Sequence, residues 1–298
     1  MRQNATIFMK GGLGNQLFQI AFAQYLKLNN YNVNINLDFF VNDGYSTPRN
    51  LIFPENFFGL KKQTYFEQKK FWLLYKLNHA QNFTFFHDRI KEYTFINDFI
   101  DFHEKDVENL YFNGYWKDLR YLTPTKALMK NYLRQNQMID NSFKPKNTKN
   151  YGMIHVRRGD FVREGRELKI DYYQKSIEIL KNNNINKYDI FTDDLEWVNN
   201  QKVFKNVHKV FSQKSGMDIK YIKRGINSID DKNETIETFS SMLKYKHFVT
   251  GNSSFAFWAA YLKSDQDSIV TIANPLFRND KTNVNKLAQE SWYLVNNT

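Results

Sequence analysis

The sequence predicts a mixed α/β fold with two Rossmann-like halves, and three observations support this prediction. The first is the succession of a strand, a glycine turn, a helix and a strand over residues 5–37. The second is a polar stretch at 134–150 that contains Pro145 and is typical of a linker. The third is a further alternation of strands and helices after that linker. We therefore expect an N-terminal domain at 1–147 and a C-terminal domain at 148–298, with a cleft between them.

The composition is that of a packed chain without disulfides. The 298 residues are 42% hydrophobic and 17% aromatic, and cysteine is absent, which excludes disulfides and thiolate metal sites. The longest clearly apolar stretch, 255–262, is far shorter than the ~18 residues of a membrane span. The polar residues 1–6 do not resemble a signal peptide. We expect a cytoplasmic protein and leave peripheral association with the inner membrane face open.

The net charge of +11 favours acidic partners such as nucleic acid, an anionic membrane or a phosphorylated small molecule. A lysine-rich surface that only aids solubility explains the same charge. Basic and aromatic residues interleave at 69–76, but no recognised nucleic-acid-binding motif organises them. A basic RNA-binding protein is therefore the competing class, and it predicts a steeply salt-dependent affinity for RNA.

The first predicted strand, at 5–10, leads into the glycine turn GGLGNQ and a helix. The turn is not a P-loop, and it matches the dinucleotide fingerprint only at Gly12 and Gly14. These glycines let the backbone approach a ligand closely, while Asn15 and Gln16 place polar side chains at the mouth of the expected cleft. An ordinary strand-to-helix turn explains the same residues. Beyond the next strand the pattern is irregular until about residue 130.

The second half alternates strands and helices, which predicts a parallel sheet. Strands are predicted at 151–156, 188–192, 207–211, 247–250 and 268–272. Helices are predicted at about 171–183, 194–201, 235–246 and 253–263. Parallel sheets bind ligands at the carboxyl ends of their strands, so the residues that follow each strand are the candidates for a site.

The sharpest motif at such a strand end is HVRRGD. Residues two apart in a strand project to one side, so His155 and Arg157 share a face while Val156 enters the core. We expect Arg157 to point into the cleft and Arg158 to turn aside and pair with Asp160. A guanidinium binds two phosphate oxygens at once and keeps its proton, which suits a diphosphate. A surface ion pair of arginine and aspartate is the alternative.

Two further strand ends carry polar residues. YDIFT is followed by Asp193 and Asp194, which could accept paired N–H donors from a purine or a sugar, or cap the next helix. FVTGNSS places Asn252, Ser253 and Ser254 at a helix start, where free N–H groups favour anions. Helix capping by Ser253 explains the second motif equally well.

The sequence gives little support to metal chemistry. The six histidines are scattered, without an HExxH motif or a histidine–carboxylate cluster. Asp265 and Asp267 form an Asp-x-Asp triplet, but they follow a predicted helix end, where a solvated turn is the natural interpretation. We therefore expect no metal site and no cofactor.

Four motifs, in this order and spacing, resemble the bacterial α-1,2-fucosyltransferases of glycosyltransferase family 11: GGLGNQLFQIAFAQYL, IHVRRGDFV, FTDDLEWV and KHFVTGNSSFAFWAAYL. The resemblance covers residues 11 to about 262. The HxRRxD element is shared with α-1,6 and protein O-fucosylating enzymes, whereas the first and last motifs are more specific. One departure is Thr238, which stands where the family usually has an aspartate. Glu234 and Glu237 are nearby carboxylates that could substitute for it.

The resemblance implies a GT-B-type fold and an inverting transferase that moves L-fucose from GDP-fucose to the 2-hydroxyl of a galactoside in a surface glycan, without a metal. It implies that His155 and one of Asp193 and Asp194 help to hold guanine, and that Arg157 grips the β-phosphate. It also places Asn15 near the acceptor and the sugar. A related glycosyltransferase with another donor sugar or linkage is the alternative.

These considerations give two sets of predicted site residues. The catalytic set is Arg157, Asp160 and Asn15, of which the last two are candidates for the group that takes or orients the acceptor proton. The donor-binding set is Gly12, Gly14, His155, Arg158, Asp193, Asp194, Asn252, Ser253 and Ser254. The departing GDP gains negative charge, which arginine and helix-start N–H groups can meet where no metal does.

Overall fold

The computed structural model describes residues 3–40, 49–54, 57–70, 73, 90–94, 109–136, 138, 151–205, 207–212, 229–277 and 284–297. The chain separates into two compact units, Met1–Met129 and Lys130–Thr298. Most of the predicted linker at 134–150 lies outside the described residues, so the predicted domain boundary at 147 stays a prediction. The same holds for most of the basic and aromatic stretch at 69–76.

The N-terminal unit contains a parallel sheet whose described strands follow the order β3-β2-β1-β5-β4. The strands are β1 (Asn4–Phe8), β2 (Asn32–Asn36), β3 (Lys61–Lys62), β4 (Ile90–Thr94) and β5 (Asn109–Asn113). Besides a helical segment at 65–70, the helices include α1 (Leu13–Leu28), α2 (Leu119–Leu122) and α3 (Lys126–Gln135), the last of which crosses the boundary between the units.

Helix α1 forms the centre of the N-terminal core because apolar residues cover most of its surface, as expected of a helix buried on nearly all sides. Leu17, Phe18 and Phe22 are fully buried. The ring of Phe22 stacks on Trp116 with centroids 4.5 Å apart and meets Phe112 edge-on at 5.0 Å. These contacts join α1 to β5 and to the loop after it.

The C-terminal unit contains a parallel sheet in the order β11-β10-β9-β6-β7-β8. The strands are β6 (Tyr151–Val156), β7 (Lys187–Thr192), β8 (Lys209–Ser212), β9 (His247–Val249), β10 (Val270–Asn274) and β11 (Tyr293–Asn296). The helices are α4 (Gly159–Arg163), α5 (Ile170–Asn182), α6 (Leu195–Asn200), α7 (Ile229–Met242) and α8 (Ser254–Lys263).

The observed elements confirm the predicted α/β class and its two Rossmann-like halves. Each of the five strands and four helices predicted after the linker has a counterpart within a few residues, except that α7 begins earlier than expected. The short helix α4 and the last strand, β11, were not predicted. Val156 is fully buried in the core that α5 covers, as the alternation in HVRRGD indicates.

Candidate active site

The predicted site residues of the C-terminal unit gather where its strand order reverses. β6 and β9 are neighbours in the sheet, but β6 leads to β7 on one side and β9 leads to β10 on the other. Such a switch point opens a crevice at the carboxyl ends of the two strands, where ligands of open α/β sheets bind. Residues 155–158 form one lip of this crevice and residues 250–253 form the other.

Arg157 is held between two carboxylates. Its Nη2 lies 2.6 Å from Oδ1 of Asp160, and its Nη1 lies 2.9 Å from Oδ2 of Asp193. The guanidinium also lies over the ring of Phe161, 5.6 Å from its centroid. A guanidinium has five N–H donors, which is more than these two ion pairs use. The side chain remains 23% exposed, so it is fixed in orientation and still accessible.

Arg158 does not pair with Asp160, and that prediction was wrong. Its Nε donates to Oδ2 of Asp194 at 3.0 Å, and its guanidinium lies 4.2 Å from the ring centroid of Trp197. The reason is helix α4, which begins directly after Arg158 and brings Asp160 one turn back towards Arg157. Asp160 lies only three residues after Arg157, and the turn of the chain into the helix brings the two side chains together, whereas the strand pattern alone suggested the other pairing.

The two aspartates after β7 bind the segment that contains Arg157 and Arg158, which we call the arginine loop. They connect this loop to the end of the neighbouring strand. Asp193 is almost fully buried, and its Oδ1 accepts the backbone N–H of Arg158 at 2.7 Å. Asp194 caps α6, because its Oδ1 accepts the backbone N–H of Trp197 at 3.0 Å. The capping alternative for Asp194 is therefore confirmed. The predicted contact of one of these aspartates with guanine stays a prediction.

His155 is a buried neutral ring beside the crevice. It is 2% exposed and packs near Phe255, with ring centroids 6.1 Å apart. Burial, followed by the positive charge of Arg157, lowers the pKa of His155 to about 3. Its Nδ1 is buried and has no hydrogen-bond partner among the described residues. The ring therefore presents an unmet polar atom at neutral pH.

The opposite lip depends on Gly251 and on Tyr172, which sequence reasoning missed. Gly251 has φ +63°, and a Cβ there would lie 3.1 Å from Cδ1 of Leu168. Its N–H donates to the Tyr172 hydroxyl at 3.0 Å, and that hydroxyl lies 3.4 Å from the Thr271 carbonyl oxygen. Tyr172 comes from α5, some eighty residues away in sequence, so no local motif pointed to this contact.

The three predicted residues of this lip have different roles: Asn252, Ser253 and Ser254. Asn252 is buried, and its Nδ2 donates to the carbonyl of Arg166 at 2.8 Å, which ties this lip to the loop after α4. Ser253 precedes α8 without a side-chain capping bond, so the capping alternative is wrong for this residue. Ser254 is the first residue of α8 and is half-buried. The backbone N–H groups of α8 therefore begin beside the crevice.

The remaining predicted residues lie in the N-terminal unit, at the carboxyl end of β1. Gly11 has φ +81°, and Asn15 folds back over it, so that a Cβ on Gly11 would lie 2.8 Å from Nδ2 of Asn15. Gly12 precedes α1, and a Cβ there would meet no heavy atom within 4 Å. Gly14 is buried in the first turn of α1. Gly14 is therefore enclosed by protein, while a side chain at Gly12 would meet open space.

The carboxyl end of β5 is a second strand end of the N-terminal unit that sequence reasoning missed. The loop 114–118 comes after β5 and lies beside the glycine turn, because β1 and β5 pair directly. The signal was the apolar run LYF followed by Asn113 and Gly114. This signal was not recognised, because it lies in the part of the sequence before about residue 130 where the pattern is irregular.

Among the described residues, no group of three or more histidines, aspartates and glutamates could hold a metal ion. Asp265 and Asp267 instead lie 3.7 and 3.4 Å from the ammonium nitrogen of Lys246, in the turn after α8. Within the same described ranges, every helix falls short of the length and apolar character that crossing a membrane requires.

Two proteins of Escherichia coli are related to this chain. An "Alpha-1,2-colitosyltransferase" is 28% identical over 205 residues, which cover 62% of this chain and 62% of that protein. The "O-antigen biosynthesis glycosyltransferase WbnK" is 27% identical over 146 residues, which cover 47% of this chain and 42% of that protein. The chain thus spans less than two thirds of the length of the curated relatives it matches.

Two solved structures and one family model also match this chain. A mutant of Arabidopsis thaliana FUT1 in complex with GDP matches with a TM-score of 0.48 and 12% identity, over 88% of this chain and 69% of that one. NodZ α-1,6-fucosyltransferase soaked with GDP-fucose matches with a TM-score of 0.43 and 11% identity, over 88% and 93%. The model of glycosyl transferase family 11 matches residues 4–296. Because that match spans nearly the whole chain, the protein belongs to glycosyltransferase family 11.

Proposed function

We propose that the protein is an inverting α-1,2-fucosyltransferase that moves L-fucose from GDP-fucose to the 2-hydroxyl of a galactoside in a surface glycan. The observation that carries this proposal is Arg157, held by two carboxylates at the switch point of the C-terminal sheet. Membership of the family supports glycosyl transfer. The relative named as an α-1,2-colitosyltransferase supports the α-1,2 linkage.

In this mechanism Arg157 meets the charge of the departing GDP. The bond between C1 of the sugar and the phosphate oxygen breaks, and its electron pair stays on the β-phosphate. A hydrogen-bond donor that is already oriented needs little rearrangement as this charge grows. Its interaction therefore stabilises the transition state more than the ground state. Asp160 and Asp193 supply the orientation. The N–H groups at the start of α8 add a second source of positive potential without a metal ion.

His155 is the residue that we propose for the guanine contact. A neutral imidazole can both donate and accept a hydrogen bond, and the buried Nδ1 of His155 gains a partner when a purine edge occupies the crevice. Asp193 and Asp194 already hold the two arginines, so their main task is to support the arginine loop.

The acceptor hydroxyl attacks C1 as the bond to GDP breaks, and its proton passes to solvent water. The carboxylate of Asp160 is paired with Arg157 at 2.6 Å and helps to hold that guanidinium in place. We therefore assign Asp160 to the positioning of Arg157. Asn15, at the glycine turn of the N-terminal unit, is the residue proposed to orient the acceptor.

A second candidate function differs from the first only in the donor sugar. The relative named as a colitosyltransferase favours a colitose donor. The arginine site does not separate the two donors, since both present the same nucleotide diphosphate. The test must therefore compare the sugars directly.

The experiment is to incubate the protein in EDTA with GDP-fucose or GDP-colitose and a panel of galactosides. We expect a product that is heavier by one deoxysugar, with a linkage to the galactose 2-position. Products should be identified by mass and by linkage analysis. The proposal fails if neither donor yields product, or if product forms only after magnesium or manganese is added.

A further inference from the structure

Two phenylalanine rings contact each other beside the crevice, and we call Phe161 and Phe277 the aromatic pair. Their rings meet edge-on, with centroids 5.8 Å apart. The guanidinium of Arg157 lies 5.6 Å from the ring centroid of Phe161, and that of Arg166 lies 5.4 Å from the ring centroid of Phe277. The aromatic pair is therefore in contact with two guanidinium groups, one of which belongs to the residue proposed to bind phosphate.

Separate elements bring the two rings to the same edge of the C-terminal sheet. Phe161 belongs to α4, which follows β6, and Phe277 comes three residues after the end of β10. Because β6, β9 and β10 are parallel neighbours, their carboxyl ends share one edge with the crevice. The carbonyl oxygen of Arg166 accepts Nδ2 of Asn252 at 2.8 Å. This hydrogen bond connects the loop that contacts Phe277 to the lip of the crevice.

The aromatic pair differs from the core aromatic residues of this unit because it is accessible. Phe161 and Phe277 are both partly exposed, whereas Tyr172, Phe191 and Phe248 are almost completely buried. The arginine, aspartate, asparagine and serine side chains of the crevice are polar, so the aromatic pair adds an apolar surface to them. Ligand sites typically combine such an apolar surface with a few placed polar groups. An accessible aromatic pair in this position thus suits a ligand that carries an apolar group.

Binding of the diphosphate to Arg157 brings the donor sugar close to the aromatic pair. The hydrogen bonds between a guanidinium and a phosphate are about 2.8 Å long, and C1 of the sugar is joined to the β-phosphorus through a single oxygen. The sugar is then only a few bond lengths from a guanidinium that itself lies 5.6 Å from the ring of Phe161. Among the described contacts of Arg157, Asp160 and Asp193 are carboxylates, and Phe161 offers the apolar surface.

From this placement we infer that Phe161 and Phe277 are specificity-determining residues, which contact C6 of the donor sugar and select 6-deoxysugars. Fucose and colitose both carry a methyl group at C6, where L-galactose carries a hydroxymethyl group. A methyl group gains free energy when it leaves water for the rings, whereas a hydroxyl packed against them loses hydrogen bonds to water. The inference rests on the proposed function for the nucleotide-sugar donor. It goes beyond that function by naming the residues that select the sugar.

The test compares two donors that differ by one hydroxyl, since GDP-L-galactose is GDP-L-fucose with a hydroxyl added at C6. Each is titrated by calorimetry into the full chain in EDTA without acceptor, and the ratio of the two dissociation constants is the 6-deoxy preference. We expect the wild type to bind GDP-L-fucose about tenfold more tightly, because a closed apolar pocket rejects an added hydroxyl about hundredfold and this surface is partly open to water. Equal binding of the two donors, or binding of neither, would overturn the inference.

Variants assign the preference to the aromatic pair. Phe277→Asn should reduce the preference severalfold, because it replaces one ring by an amide that can bond the added hydroxyl. Phe277→Leu keeps an apolar side chain and should retain most of the preference. Phe211→Asn makes the same polar change at a ring that is 37% exposed on the edge strand β8 and stacked on Phe191, and it should keep the wild-type preference.

The 6-deoxy preference compares two donors on one protein, so a general loss of nucleotide affinity cancels in it. Melting temperatures should confirm folding, and Phe277→Thr gives the same comparison where Phe277→Asn does not fold. A preference that these polar changes leave intact would overturn the inference, as would an equal loss in Phe211→Asn. A preference that depends on Phe277, without fucosyl transfer to any galactoside, would uphold the inference and count against the proposed function.

Discussion

His155 places a titratable ring inside the C-terminal unit, and this makes the fold sensitive to acid. Burial, followed by the charge of Arg157, lowers its pKa from 6.5 to about 3. Below pH 6.5 the unfolded chain takes up a proton on this ring, whereas the folded chain takes it up only near pH 3. The stability from the neutral ring is therefore fully present above pH 6.5 and is lost progressively as the pH falls.

We expect His155→Gln to flatten this dependence. Between pH 7.5 and pH 5 the wild type should lose about 2 kcal/mol more of its free energy of unfolding than the variant, because each pH unit below the unfolded pKa contributes about 1.4 kcal/mol. Urea unfolding at the two pH values, without nucleotide, measures the difference. Equal losses in both proteins would mean that the ring is not held neutral in the fold.

The arginine pair shows what a strand pattern can and cannot predict at the level of single residues. Alternation along β6 correctly places Val156 in the core, and Arg157 lies close enough to His155 for its positive charge to lower the pKa of that ring. It does not predict the structure of the residues after the strand. Helix α4 begins at once and gives Asp160 to Arg157 instead of Arg158. The pairing of Arg157 with Asp160 depends on α4, and a helix of five residues is too short to give a periodic signal in the sequence.

At the scale of secondary-structure elements, the segment between β9 and α8 is held in place by the hydroxyl of Tyr172, which belongs to α5. We expect Tyr172→Phe to lower the stability of the protein by about 1–3 kcal/mol, because the buried N–H of Gly251 loses its acceptor while the ring still fills its space. The dissociation constant for GDP should rise as well, since the same lip borders the crevice. Thermal unfolding and calorimetric GDP titration measure the two effects.

The neighbouring tyrosine provides a matched control for this change. Tyr173 is also buried, and its ring meets Tyr172 edge-on at 5.2 Å, but no hydroxyl bond of Tyr173 is found among the described residues. Tyr173→Phe should leave stability and GDP affinity close to wild type. If both variants behave alike, the hydroxyl of Tyr172 does not position the lip.

Elements with a strong apolar periodicity were predicted well, whereas elements with a weak apolar periodicity were not. β6, β7 and α5 combine apolar patterns with clear flanking turns, and each lies within two residues of its prediction. β3 consists of two lysines, and β5 is a short apolar run in an irregular region. Their pairing depends on distant strands, which a local pattern does not encode. The loop after β5 was missed for the same reason.

At the scale of the whole molecule, the net charge of +11 does not come from the arginine site. Two arginines and three aspartates form that site (+2 − 3 = −1), so its formal charge is slightly negative. Phosphate recognition there depends on the geometry of Arg157 and not on a general excess of positive charge. The alternation of strands and helices predicted the two halves correctly, while their arrangement about a cleft stays a prediction.

The central claim is that Arg157, held by Asp160 and Asp193, binds the diphosphate of GDP without a metal. Replacement by alanine would leave the buried carboxylate of Asp193 without its positively charged partner, which is itself destabilising, so Arg157→Lys is the cleaner change. Arg158→Lys is its matched control, because Arg158 is engaged by Asp194 and Trp197. Melting temperatures should confirm that both variants fold.

The measurement is calorimetric titration of GDP into the wild type and both variants in EDTA. We predict that the wild type binds GDP under chelation and that Arg157→Lys weakens binding about ten- to hundredfold, since an ammonium keeps the charge but loses the two-pronged geometry. Arg158→Lys should weaken it much less. Wild-type binding that requires added magnesium or manganese, or an affinity that Arg157→Lys leaves unchanged, would contradict the account.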